Sequence, residues 1–196
     1  ALIKALKPFG GVENLSYVIN THWHGDHTGG NEALGKFAPI VAHDNVRKSL
    51  QSRQEIKLFN MVAEPYPPLA LPSVTYEKTL NLYLNNEHLQ IIHLPGGHTD
   101  GDSIIHFKNA NVFHLGDHFF NGFFPFVDVE HGGNVLQMAK NLESILPSID
   151  KSTIIIPGHG PVTTKKELMA FITMLKGTAA EVRDLKKKGM PLEKNQ

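Results

Sequence analysis

Short apolar runs separated by polar, glycine-rich or proline-rich breaks set the rhythm of the chain. Residues 16–20, 39–42, 73–77, 79–84, 88–94, 103–107, 111–115 and 153–156 read as strands. Asn85-Asn86 is suited to a tight hairpin turn, and Lys108-Asn109-Ala110 to a second. The spacing changes to helical over 134–147, where Val135, Met138, Leu142 and Ile145 share a face. It does so again from Lys165 to about Lys188, where Leu168, Phe171, Ile172, Leu175, Val182 and Leu185 form one stripe opposite charged residues. Shorter helices are expected at 1–9, closed by Gly10-Gly11, and at about 30–37 and 44–52. The stretch from Met61 to Pro72 holds four prolines and reads as a loop of the kind that forms lids. Strands and helices in near alternation predict a layered α/β domain, and 196 residues suit a single one spanning 1–196.

Composition narrows the chemistry. Nineteen basic residues balance nineteen acidic ones, which argues against a dedicated nucleic-acid binder. No apolar run approaches the ~20 residues that cross a bilayer, so no membrane partner is expected. Cysteine is absent, which excludes disulfides and thiolate metal ligands and leaves the compartment unassigned. Twelve histidines are present, so any transition-metal site must use imidazole and carboxylate.

The histidines cluster at strand ends. His22-x-His24-x-Asp26-His27 offers four potential ligands in six residues, a density that suits two adjacent metals better than one. Glycines 25, 29 and 30 let the backbone turn there. Pro95-Gly96-Gly97-His98-Thr99, Leu115-Gly116-Asp117 and Pro157-Gly158-His159-Gly160 each place one more candidate just after a strand.

Four segments, THWHGDHTGGN (21–31), PGGHTDGDS (95–103), LGDHFF (115–120) and IIPGHGP (155–161), together resemble the metallo-β-lactamase superfamily, in order and over nearly the whole chain. The resemblance implies an αββα sandwich with its site at one edge of two sheets. It implies two Zn²⁺ per chain: His22, His24 and His98 at one, Asp26, His27 and His159 at the other, Asp117 bridging. The activity implied is hydrolysis of an ester, lactone, thioester or amide by a metal-bridging hydroxide, with Asp26 orienting the nucleophile and carrying a proton. Two zinc ions set against Asp26, Asp117 and a hydroxide leave positive charge, which favours a small substrate bearing an anionic group. A mononuclear iron dioxygenase of the same superfamily and a phosphodiesterase are the alternatives.

Aspartate at 117 is more similar to glyoxalase II and the lactonases than to true β-lactamases, so β-lactams are expected at most as a weak side activity. Only 21 residues precede the first histidine motif. The first sheet is therefore expected to lack its N-terminal strands, to expose an edge, and to be completed by a missing N-terminal segment or another chain. His118, beside Asp117, is a candidate for substrate contact or support of a ligand. In the aromatic cluster Phe119, Phe120, Phe123, Phe124 and Phe126, one or two rings are expected to line an apolar pocket, Phe119 and Phe123 being the candidates. Trp23 is expected to pack beneath the site. His88, His93, His106 and His114, inside strands, are expected to be structural.

Overall fold

The computed structural model describes residues 2–191. Helix α1 (Leu2–Leu6) runs into a 3-10 turn that ends at Gly10 with φ 97°, the left-handed stop expected from the sequence. Strand β1 (Val18–Ile19) leads into two short helices, α2 (Gly25–Thr28) and α3 (Asn31–Leu34). Strand β2 (Ile40–His43) and helix α4 (Asp44–Leu50) follow. Next come β3 (Gln54–Ile56), β4 (Met61–Ala63), β5 (Val74–Tyr76), β6 (Thr79–Leu84), β7 (Glu87–His93), β8 (Ser103–Phe107) and β9 (Val112–His114). Helix α5 (Val135–Ile145), β10 (Ile154–Ile156) and α6 (Lys165–Lys187) complete the described chain. None of its helices is long and apolar enough to cross a membrane.

Two sheets lie face to face. The first is parallel, in the order β1-β2-β5; the second has the order β10-β9-β8-β7-β6, antiparallel except for β10 on β9. Alternation of side chains along each strand sorts the core into layers. Val41, Ile91 and Ile105 fill the space between the sheets. Their neighbours Ala42, Ile92 and Ile104 point to the outer faces, Ala42 toward α4, Ile92 and Ile104 toward α5 and α6. This is the αββα sandwich the motifs implied. The hairpin turn at Asn85 and Asn86 has φ of 53° and 57°, a pair of left-handed residues that asparagine tolerates well.

The first sheet has three strands among the described residues, with β1 at its edge, matching the expected short first sheet. Beside β1 a hollow of about 400 Å³ opens between the sheets, lined by Ile19, Thr21, Ile105, Phe107 and His114 among others. Helix α6 differs from the expected stripe. Leu168, Phe171, Ile172 and Leu175 are buried, but Val182 is 47% exposed, so the helix leaves the core after Leu175. The expected loop after Met61 begins as the second half of a hairpin, β3 with β4, which the short 54–56 run did not announce.

Candidate metal centre

Four strand ends deliver the candidate residues to one sheet edge. After β1 the chain stays extended, Asn20 N–H donating to Val41 O, so His22 and His24 leave on the same side. Reciprocal amide hydrogen bonds between Asn20 and Asn31, 3.0 and 2.8 Å, hold this segment to α3. Thr21 O accepts from Ser103 N–H at 2.8 Å and ties the segment to β8, locking the two sheets together beside the histidines. Helix α2 then carries Asp26 and His27. His98 follows β7, Asp117 follows β9, and His159 follows β10.

The structure brings all seven of these side chains together. His22, His24 and His98 form one donor group, and Asp26, His27 and His159 a second, each with donor atoms within 4.8 Å of one another. Asp117 touches both. Its Oδ2 lies 3.8 Å from His22 Nε2, 3.4 Å from His98 Nε2 and 3.4 Å from His159 Nε2; its Oδ1 lies 3.1 Å from His27 Nε2. Asp26 Oδ2 sits 3.0 Å from His27 Nε2 and 3.2 Å from His159 Nε2. Glycine at 158 is required by crowding: a Cβ there would overlap Asp117 Oδ1 and the Gly116 carbonyl.

The tautomers fit a cation. A carboxylate and a carbonyl only accept, so His24 Nε2–H donates to Asp128 Oδ2 at 2.9 Å and His98 Nδ1–H donates to Phe126 O at 2.7 Å. The remaining ring nitrogens, His24 Nδ1 and His98 Nε2, then face each other 2.8 Å apart as bare lone pairs. His22 Nε2, buried nearby, has no hydrogen-bond partner. Opposed acceptors and an orphaned buried nitrogen at one point are repulsive unless a positive centre joins them. Imidazole and carboxylate donors are those that zinc and iron accept.

Electrostatics point the same way. Burial, reinforced by the neighbouring imidazoles, drives His22 well below the usual histidine range and His98 to about 4, so both rings are neutral at pH 7. Hydrogen bonding from His27 holds Asp26 at about 2. Burial opposes charge on His27, but hydrogen bonds to Asp117 and Asp26 outweigh it and raise the ring to about 9. Burial likewise opposes charge on Asp117, and His27 with the surrounding imidazoles pulls it below the ordinary carboxylate range. The second group thus holds positive charge, as a proton on His27 or a cation in its place.

The outer partners explain the aim of these ligands. Asp128 also accepts from His131 Nδ1–H at 2.8 Å, and His131 Nε2 lies 3.1 Å from Gln54 Oε1 on β3. Asp102 accepts from His98 N–H at 2.6 Å, Thr99 N–H at 2.8 Å and the Thr99 hydroxyl at 2.5 Å, fixing the turn that carries His98. Burial raises Asp102 to about 7 against those bonds. Asp128 was not among the residues the sequence singled out. Only a carboxylate three residues before a histidine marked it, and no spacing tied it to His24.

His118 is not at the open site: it is buried, and its Nε2 accepts from Asn141 Nδ2–H at 3.0 Å. Phe119 points into the core, 5.1 Å from Phe171, because the 3-10 turn over Gly116–His118 sends it toward α6. Phe123 is 59% exposed and lines an apolar hollow with Phe171 and Met174, away from the donors. The rings beside the donors are Phe120, stacked 5.1 Å from His159, and Phe126, 5.8 Å from His24. Trp23 is 2% exposed and packs beneath with Ala42, Val46 and Leu50. The four strand histidines stay structural: His88 stacks on Tyr83, His93 on His43 and His106 on Phe113, while His114 Nδ1 accepts from Gly116 N–H.

The chain belongs to the metallo-beta-lactamase superfamily, whose family profile matches residues 8–160. It is 28% identical over 168 residues to the Methanocaldococcus jannaschii protein named "Probable metallo-hydrolase MJ0888", covering 82% of this chain and 76% of that one. It is 27% identical over 153 residues to the Bacillus subtilis "Probable metallo-hydrolase YqgX", covering 74% and 69%. Among solved structures, a metallo-beta-lactamase from Pontibacter korlensis superposes with a TM-score of 0.70 at 17% identity, covering 89% of this chain and 75% of that one. The BLEG-1 B3 metallo-beta-lactamase does so with a TM-score of 0.70 at 21% identity, covering 89% and 82%. These likenesses establish the fold; both relatives carry the name of probable metallo-hydrolases, and this chain's histidine–aspartate cluster is one that could hold metal.

Proposed function

We propose that the protein is a dinuclear metal-dependent hydrolase, zinc being the expected ion, acting on an ester, lactone, thioester or amide. One observation carries the reading: Asp117 is shared by two three-residue donor groups, an arrangement that serves two adjacent ions and is superfluous for one. His22, His24 and His98 would hold the first ion, Asp26, His27 and His159 the second, and Asp117 both. When bound, the ions supply Lewis-acid polarisation of a carbonyl and activation of water near neutral pH.

The chain's own groups supply the rest. Asp26, with a side chain 57% exposed, is the donor carboxylate facing the open pocket, ionised at neutral pH. It would orient the attacking water, accept its proton and return it to the leaving group, so the proton count closes within one residue. Asp128 and the Phe126 carbonyl hold His24 and His98 in the ligating tautomers. Phe120 and Phe126 wall the donors and limit competing water.

The test is metal analysis of protein purified without added metal, joined to a hydrolase panel on zinc-loaded protein with esters, lactones, thioesters, amides and a chromogenic β-lactam. Two zinc ions per chain with turnover of acyl compounds, lost in Asp117→Ala, is the expected result. One iron per chain, or wild-type turnover in Asp117→Ala, overturns it.

A further inference from the structure

The pocket over the donors has a volume of about 380 Å³. Its floor is His24, Asp26, His98, Asp117 and His159; its walls are Ile56, Phe59, Met61, Phe120 and Phe126. None of the residues lining it is a lysine, arginine, serine or threonine. Three of the wall residues come from the β3–β4 hairpin. Ile56 and Met61 are cross-strand partners, so they share a face, and that face looks onto the donors. Val62 and Glu55, the next pair, face the other way. Phe59 in the turn lies 4.8 Å from Phe126 across the pocket mouth.

The hairpin is held in this position. Lys57 Nζ–H donates to Glu130 Oε1 at 2.9 Å. Gln54 Nε2–H donates to Ser49 O at 3.0 Å, which leaves its Oε1 toward His131. Yet Phe59 is 51% exposed and Met61 54% exposed. Large apolar side chains fixed at a pocket rim and left uncovered mark a surface that something apolar covers. Lys57, the cation on this hairpin, is already paired with Glu130. The walls therefore offer nothing to a second charged group on the substrate.

Resting on the hydrolase reading above, we propose that the substrate carries an uncharged, apolar acyl or alkyl group beside its scissile carbonyl, and that the β3–β4 hairpin is the surface that holds it. Phe59, Met61 and Ile56 are the specificity-determining residues. Any negative charge on the substrate is confined to the reacting end, over the metal donors.

Straight-chain hydroxamates test this without turnover, because the head group binds metal and only the tail varies. Calorimetry on zinc-loaded protein should show affinity rising roughly fourfold per methylene from acetohydroxamate to hexanohydroxamate. Phe59→Ala should flatten that rise, with zinc content unchanged. Val62→Ala, on the opposite face, should leave it intact. A flat series in the wild-type protein, or a rise that survives in Phe59→Ala, overturns the inference. Failure of every ester, lactone, thioester and amide to turn over would instead strike the hydrolase reading, since hydroxamate binding does not depend on it.

Discussion

Removal of the Asp128 carboxylate tests whether the donor cluster is held by its outer partners. Asp128 is 2% exposed and His24 6%, so their 2.9 Å hydrogen bond is shielded from water. Burial alone would favour a neutral acid, but the bonds from His24 and His131 keep Asp128 below the ordinary carboxylate range. A charge-assisted hydrogen bond of this kind contributes about 1.5–3 kcal/mol. At ~1.4 kcal/mol per factor of ten, its loss corresponds to roughly a ten- to hundredfold weaker metal affinity. That is also the range seen when partners of metal-bound histidines are removed. Asp128→Ala is expected at the upper end; Asp128→Asn, which keeps an acceptor but not the charge, near the lower. Competition with a chromogenic chelator gives the affinity, and the visible spectrum of the cobalt-substituted protein reports whether His24 still ligates. Affinity within twofold of wild type in Asp128→Ala, with an unchanged cobalt spectrum, would refute the argument.

Gly158→Ala forces a methyl group onto Asp117 Oδ1 and the Gly116 carbonyl, so it should cost about 1–3 kcal/mol of stability and lower metal content on quantitative elemental analysis. Leu142, fully buried between α5 and the second sheet, should cost about 2–5 kcal/mol when cut to alanine, read from urea unfolding. The stacked rings of His43 and His93, 3.6 Å apart, are both pulled below the usual value of 6.5 by burial. The unfolded chain therefore binds more protons below pH 6.5 than the fold does, and the stability these rings contribute is complete above that pH and lost as pH falls beneath it. The urea midpoint should drop from pH 7 to pH 5 less steeply in His93→Gln than in wild type; identical slopes would count against this.

Much of the architecture was legible because burial follows strand and helix periods. The Asn85-Asn86 turn, the two amphipathic helices and the four donor-bearing strand ends all sit where the pattern placed them. Three features were hidden for physical reasons. The β3–β4 hairpin has three-residue strands, too short for alternation to declare itself, and its turn residues Lys57 to Asn60 carry no common two-residue turn signal. The facing of the phenylalanines depends on how the chain turns after Asp117. The 3-10 turn there sends Phe119 inward and leaves Phe120 against His159, a choice invisible in a run of like residues. Asp128 is distant in sequence from His24, and its partnership exists only after both sheets are built.

That hidden connection gives the site its order. Gln54 begins the hairpin that walls the pocket, and it meets His131; His131 meets Asp128; Asp128 orients His24, whose free nitrogen faces His98. The apolar wall and the metal donors are therefore joined by one run of polar side-chain contacts. Where such buried polar links tolerate little misalignment, strain at one end reaches the other. Gln54→Ala removes a contact far from the donors and leaves all seven candidate ligands in place. If the chain of bonds transmits alignment, that variant should weaken metal affinity by a few fold and blunt the hydroxamate chain-length response together. If each end stands alone, the tail preference should change while the chelator titration stays at its wild-type value.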